Sequence, residues 1–102
     1  MKQFDFFENP SPQMRHAAPY LIVLSSHLFA NLTEVVVAPV VKPGLLSASE
    51  FDVPVMIDEG RHLVSVIGMA AISSARLKRR HGSLLAHEDD IRRALGRLFT
   101  GF

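Results

Sequence analysis

A series of short apolar runs, at residues 3–8, 20–24, 33–38, 51–57 and 61–67, precedes any segment with an unambiguous helical period. Parallel strands need connections of about a dozen residues or more, usually helical. Runs this closely spaced with no sure helix between them therefore point to a mostly antiparallel sheet.

Each run is bounded by recognisable turn chemistry. The first alternates, with Phe4, Phe6 and Glu8 on one side and Asp5 and Phe7 on the other, and Asn9-Pro10 stops it. Residues 9–19 hold three prolines and no periodicity, which reads as a loop. Tyr20-Leu-Ile-Val-Leu24 is continuously apolar, the pattern of a strand buried on both faces. Thr33 to Ala38 is a β-branched run ended by Pro39, with Val40-Val41 following; Pro39 lacks an amide donor, so that strand is expected at an edge or bulged there. Asp58-Glu59-Gly60 predicts a three-residue hairpin with glycine at positive φ. Residues 69–77 fit strand and helix equally well.

The last quarter carries the one clear helix. Ile91, Ala94, Leu95, Leu98 and Phe102 share a face. Glu88, Asp89 and Asp90 precede Arg92, Arg93 and Arg97, the order the helix dipole favours. Glu88–Arg92 and Asp89–Arg93 are expected i,i+4 pairs, and Gly101 falls where a helix terminator belongs.

At 102 residues and 48% apolar, the chain reads as a single domain, residues 1–102, able to fill a core but short for a lone monomer. Residues 1–75 carry four basic and seven acidic side chains; residues 76–102 carry seven basic and three acidic. A basic module on a mildly acidic body invites an anionic partner. No cysteine is present, which excludes disulfides, a thiol nucleophile and thiolate metal sites. No apolar run reaches the ~20 residues of a membrane span, and residues 1–20 do not read as a signal peptide. His87-Glu88-Asp89-Asp90 radiates around a helix and cannot converge on a metal. Ser25-Ser26-His27 is no triad, since adjacency is not geometry. The basic run 75–81 has no interleaved aromatics for stacking bases, so no direct nucleic-acid binding by the protein alone is expected. No metal, cofactor or catalytic constellation is predicted.

Several segments together carry a resemblance. They are Phe4-Asp5 with Asn9-Pro10, Ala18-Pro19-Tyr20-Leu21, Ser25-Ser26-His27-Leu28, Thr33-x-Val35-Val36-Val37-x-Pro39 and Val55-Met-Ile-Asp-Glu-Gly60. Gly82-Ser83-Leu84 and Asp89-Asp90-Ile91-x-x-Ala94-Leu95-x-x-Leu98-Phe99-Thr100-Gly101-Phe102 complete the set. In this order and at this length the sequence resembles the CcdB family of toxins from bacterial toxin–antitoxin modules. The resemblance implies a mainly β fold with a C-terminal α-helix: a five-stranded antiparallel sheet plus a small second sheet, in a CcdB/MazF-like barrel that forms a homodimer. It implies binding to the DNA gyrase A subunit, trapping of the cleavage complex, relief by a cognate antitoxin, and a cytoplasmic setting. The family's gyrase contact, Trp-Gly-Ile in its best-known member, falls on Thr100, Gly101 and Phe102. Gly101 matches, Phe102 stays apolar, and Thr100 departs. Glu34 and Ser73 also depart, standing where relatives tend to have arginine and proline. For an acidic antitoxin tail, the candidate contacts are Arg76, Arg79, Arg80, Arg92, Arg93 and Arg97. The alternatives are a ribonuclease toxin of the related mRNA-cleaving type, drawing on Arg61, His62, Thr33 and Ser65, and a non-toxic antitoxin-binding member.

Overall fold

The computed structural model describes residues 1–26, 33–44 and 49–101. Among the described residues seven strands precede one α-helix: β1 (Asp5–Glu8), β2 (Tyr20–Val23), β3 (Glu34–Val41), β4 (Asp52–Ile57), β5 (Gly60–Ser65), β6 (Ala70–Ser73), β7 (Arg80–Ser83) and α1 (Glu88–Thr100). Every pairing is antiparallel, in the order β4-β5-β3-β2-β1-β7, with β6 also on β3. The mainly β class with a C-terminal helix is thus the observed one. The five strands and small second sheet take the form of one connected sheet that branches at β3.

The branch explains Pro39. One edge of β3 pairs with β2 throughout Val37–Val40. On the other edge Glu34–Val37 pair with β6, whereas Val40 and Val41 pair with β5. The Val36 carbonyl accepts from the Leu24 amide on the β2 side, so alternation aims the odd-numbered backbone groups of β3 at the opposite edge. Pro39 therefore lacks its donor where the sheet changes partner and no ladder bond is required. The strand lies at the centre of the sheet, not at an edge. The proline ring also shapes what crosses it: a Cβ on Gly68 would sit 2.9 Å from Pro39 Cγ.

Strand alternation divides the buried side chains between two faces. Phe4, Phe6, Ile22, Leu24, Ala38, Val40, Val64 and Leu84 belong to the main core, joined by Ile91 and Ala94 of α1. Phe7, Val23, Val35, Val37 and Leu77 form a smaller cluster with Leu21 and Ile72. The two-faced burial read from Tyr20–Leu24 is observed. Strand β4 is one-faced, with Val53, Val55 and Ile57 inward and Pro54 and Met56 outward. The ambiguous stretch 69–77 resolves into β6 and a 3-10 turn at Ser74–Arg76.

The β4–β5 hairpin differs from its expected form. Ile57 pairs with Gly60, which leaves a two-residue loop. Asp58 and Glu59 take φ of 50° and 67°, whereas Gly60 enters β5. Two consecutive positive φ values match the twist of the flanking strands, and this hairpin obtains them from non-glycine residues. Left-handed backbone costs a residue with a Cβ about 1 kcal/mol. Glu59→Gly is expected to raise stability by roughly 0.5–1 kcal/mol in denaturant titration, with no change in the near-UV spectrum.

Candidate functional site

The expected site residues fall in two places. Helix α1 holds Arg92, Arg93, Arg97 and Thr100, and Gly101 caps it at φ 77°, its amide donating to the Arg97 carbonyl at 3.0 Å. The Thr100 hydroxyl donates to the Gly96 carbonyl at 2.6 Å. Both residues are exposed, and among the described residues no atom outside the flanking chain lies within 4 Å of a Cβ built on Gly101. Phe102 and His27 lie outside the described residues. Arg92 joins Glu88 as expected, 2.8 Å apart, and its guanidinium stands 5.5 Å from the Phe4 ring centroid. Arg93 pairs with Asp90 at 3.3 Å, an i,i+3 pair in place of the expected one with Asp89. Arg97 donates to the Glu50 carbonyl at 3.0 Å.

Arg76, Arg79 and Arg80 gather elsewhere, around β7 and the turn before it. Asn9 builds the opposite wall: its buried side-chain amide donates to the Ala18 carbonyl at 2.8 Å, and its Oδ1 accepts from the Ser11 amide at 3.0 Å. This fixed loop delivers Arg15, whose Nε lies 2.6 Å from the Asn9 carbonyl and 3.0 Å from Glu8. Glu8 also faces Arg79, at 3.8 Å. Two adjoining clefts, of about 390 and 400 Å³, share Glu8, Arg15 and Arg79 in their walls. The first adds Arg76 and Lys78; the second adds Tyr20, Arg80 and His81. Sequence reasoning found Arg76, Arg79 and Arg80 but missed Arg15, Tyr20 and His81. No local spacing links those three, since strand pairing alone brings residues 15 and 20 beside 79–81.

Arg80 is anchored to Asp5 at 3.3 Å. Burial alone would raise the Asp5 carboxyl, but hydrogen bonds from Arg80 and the Lys2 amide outweigh it and hold the group below the usual carboxylate range. A depressed folded-state value contributes stability above the unfolded value, and that contribution is lost as pH falls through the folded one. Arg80 is half-exposed, so the pair is worth only about 1 kcal/mol. The stability difference between wild type and Arg80→Ala is therefore expected near neutral pH and should shrink as pH falls below the usual carboxylate range, as thermal melts from neutral into acid pH would read. Tyr20 shifts upward, first through burial and then through the Asp58 and Glu8 carboxylates.

His62 packs near Tyr20, with ring centroids 5.8 Å apart, and its Nδ1 is 3.1 Å from the Gly60 carbonyl. Among the described residues, nothing joins it to Thr33, which gives its carbonyl to Ser74. Of the carboxylates in 87–90, Glu88 and Asp90 bind arginines, and among the described residues no three metal-ligating side chains converge. No described helix is long and apolar enough to cross a membrane.

No curated protein matches the chain. Solved structures do. The Mycobacterium tuberculosis toxin MazF-mt6 shares 26% identity at a TM-score of 0.68, the match covering 78% of this chain and 84% of that one. A second, described as an Mtb toxin, shares 25% identity at 0.69, covering 78% and 91%. The branched antiparallel sheet closed by α1 is thus a toxin-like architecture. The model of the CcdB protein family matches residues 3–101, nearly the whole chain, and the protein belongs to the CcdB family.

Proposed function

We propose that this protein is the toxin of a toxin–antitoxin module and acts by binding, not by catalysis. Its target on this reading is the DNA gyrase A subunit, with which it traps the cleaved-DNA complex in the cytoplasm as a homodimer. The family match over residues 3–101 carries the proposal. The exposed, capped end of α1, with Thr100 and Gly101 facing solvent, supports it. A cognate antitoxin with an acidic tail suits the basic last quarter of the chain.

The test is a gyrase supercoiling and cleavage assay with purified protein. Accumulation of cleaved DNA, and light scattering that gives twice the 11.3 kDa chain mass, are the expected results. Unchanged supercoiling at micromolar protein would overturn the gyrase target. A monomer mass would overturn the dimer.

A second reading, a ribonuclease toxin of the related mRNA-cleaving type, is compatible with the similarity to the toxin MazF-mt6. Metal-free RNA cleavage needs a base, an acid and a cation near the scissile phosphate. Arg61, His62 and Ser65 lie on β5 and Thr33 just before β3, and among the described residues no contact joins His62 to Thr33. An RNA-degradation assay run beside the gyrase assay separates the two. A chain inactive in both but binding its antitoxin would be the non-toxic family member.

A further inference from the structure

The basic run 75–81 lacks rings in sequence, yet the fold places rings beside it. Tyr20 from β2 and His81 from β7 meet at a tilt, with centroids 4.9 Å apart and ring planes at 53°. Phe6, buried in β1, packs edge-to-face with Tyr20 and at a tilt with His81, each at 5.2 Å. His81 is tethered from the other side, its Nε2 donating to the Asp58 carboxylate at 2.7 Å. The rings are thus fixed in place before any ligand arrives. They stand at the wall of the second cleft, while the first continues past Arg15 and Arg79 to Arg76 and Lys78. Five cations line the joined groove against a single carboxylate, Glu8.

We propose that this groove binds single-stranded nucleic acid, with phosphates on Arg15, Arg76, Lys78 and Arg79 and a base against the Tyr20–His81 rings. A cationic track beside pre-positioned aromatic faces is what sequence-tolerant single-strand binding requires. An acidic peptide would use the cations and leave the rings idle. A duplex would offer phosphates but no free base face. Glu8 holds Arg15 and Arg79 in the groove until phosphate replaces its carboxylate. The inference goes beyond the gyrase reading and does not depend on it, because the residues lie away from Thr100 and Gly101 in sequence and contacts.

Fluorescence anisotropy of the full chain with labelled 12-nucleotide probes tests it, using single-stranded RNA, single-stranded DNA and a duplex of the same sequence. Binding to one or both single strands, at least about tenfold tighter than to the duplex and falling steeply with salt, is expected. The RNA and DNA arms identify the sugar. His81→Ala should weaken single-strand binding about tenfold. Arg76→Ala with Lys78→Ala, both at exposed positions outside the packed core, should weaken it similarly. Glu8→Gln should tighten it, and Arg92→Ala with Arg93→Ala should leave it unchanged. Absence of binding, equal affinity for the duplex, or equal loss from the α1 variants would overturn the proposal. So would a glutamate-rich peptide binding as tightly as the oligonucleotides with no effect of His81→Ala.

Discussion

A chain shortened by Gly101 and Phe102 will lose growth inhibition and gyrase trapping while keeping its fold. The Gly101 amide closes the last turn of α1 on Arg97, and its surroundings are open. Deletion therefore removes a helix cap worth about 1 kcal/mol and no packing by Gly101. For a domain of this size that is a melting-temperature drop of roughly 4–8 °C. A much larger drop would assign these residues to structure and not to target binding. Thr100→Trp is the converse experiment. Its position is exposed and its one polar contact is with the Gly96 carbonyl of its own helix, so a large ring can be added without repacking the core. A tryptophan there supplies the flat apolar surface typical of binding hot spots, and gyrase trapping should strengthen. If neither change alters gyrase inhibition, the family contact is not used by this protein.

Truncating Ile91 to alanine will have the largest effect on stability. Ile91 is fully buried, and with Ala94 it seats α1 on the main core. Emptying such a site costs about 2–5 kcal/mol, a large part of the roughly 5–15 kcal/mol available to a small domain. Chemical denaturation should show the midpoint moving at constant slope. Phe99→Ala, eight residues on and 70% exposed, should stay within about 0.5 kcal/mol. A loss below about 1 kcal/mol for Ile91→Ala would mean that α1 is not what closes the core.

The helix and most strands were legible because their signals are local. The spacing of Ile91, Ala94, Leu95 and Leu98, the apolar run at Tyr20 and the turn residues at 58–60 each act within a few positions. Where reading and structure part, a tertiary partner decides. Pro39 looks like an edge marker until β5 and β6 are seen to divide one side of β3 between them. Gly60 looks like the turn glycine until the register puts Asp58 and Glu59 in the loop. For the site, the resemblance located the α1 tip and the charge count located the arginines. Their separation into a helix set and a groove set was not legible, nor were the rings beside Arg79 and Arg80. Those groupings exist only once β1 pairs with both β2 and β7.

The branch at β3 also bears on how the chain survives its own synthesis. Glu34–Val41 holds five valines and a single charge, and without its proline it would have the composition that pairs with copies of itself. Its β5 and β6 partners lie some twenty to forty residues downstream and leave the ribosome later. Until then one side of the strand has nothing to bond to. A residue that offers no amide on that side interrupts any foreign strand that docks there, as gatekeeper residues do. The proline that lets the finished sheet change partners thereby also protects the unfinished one from aggregation.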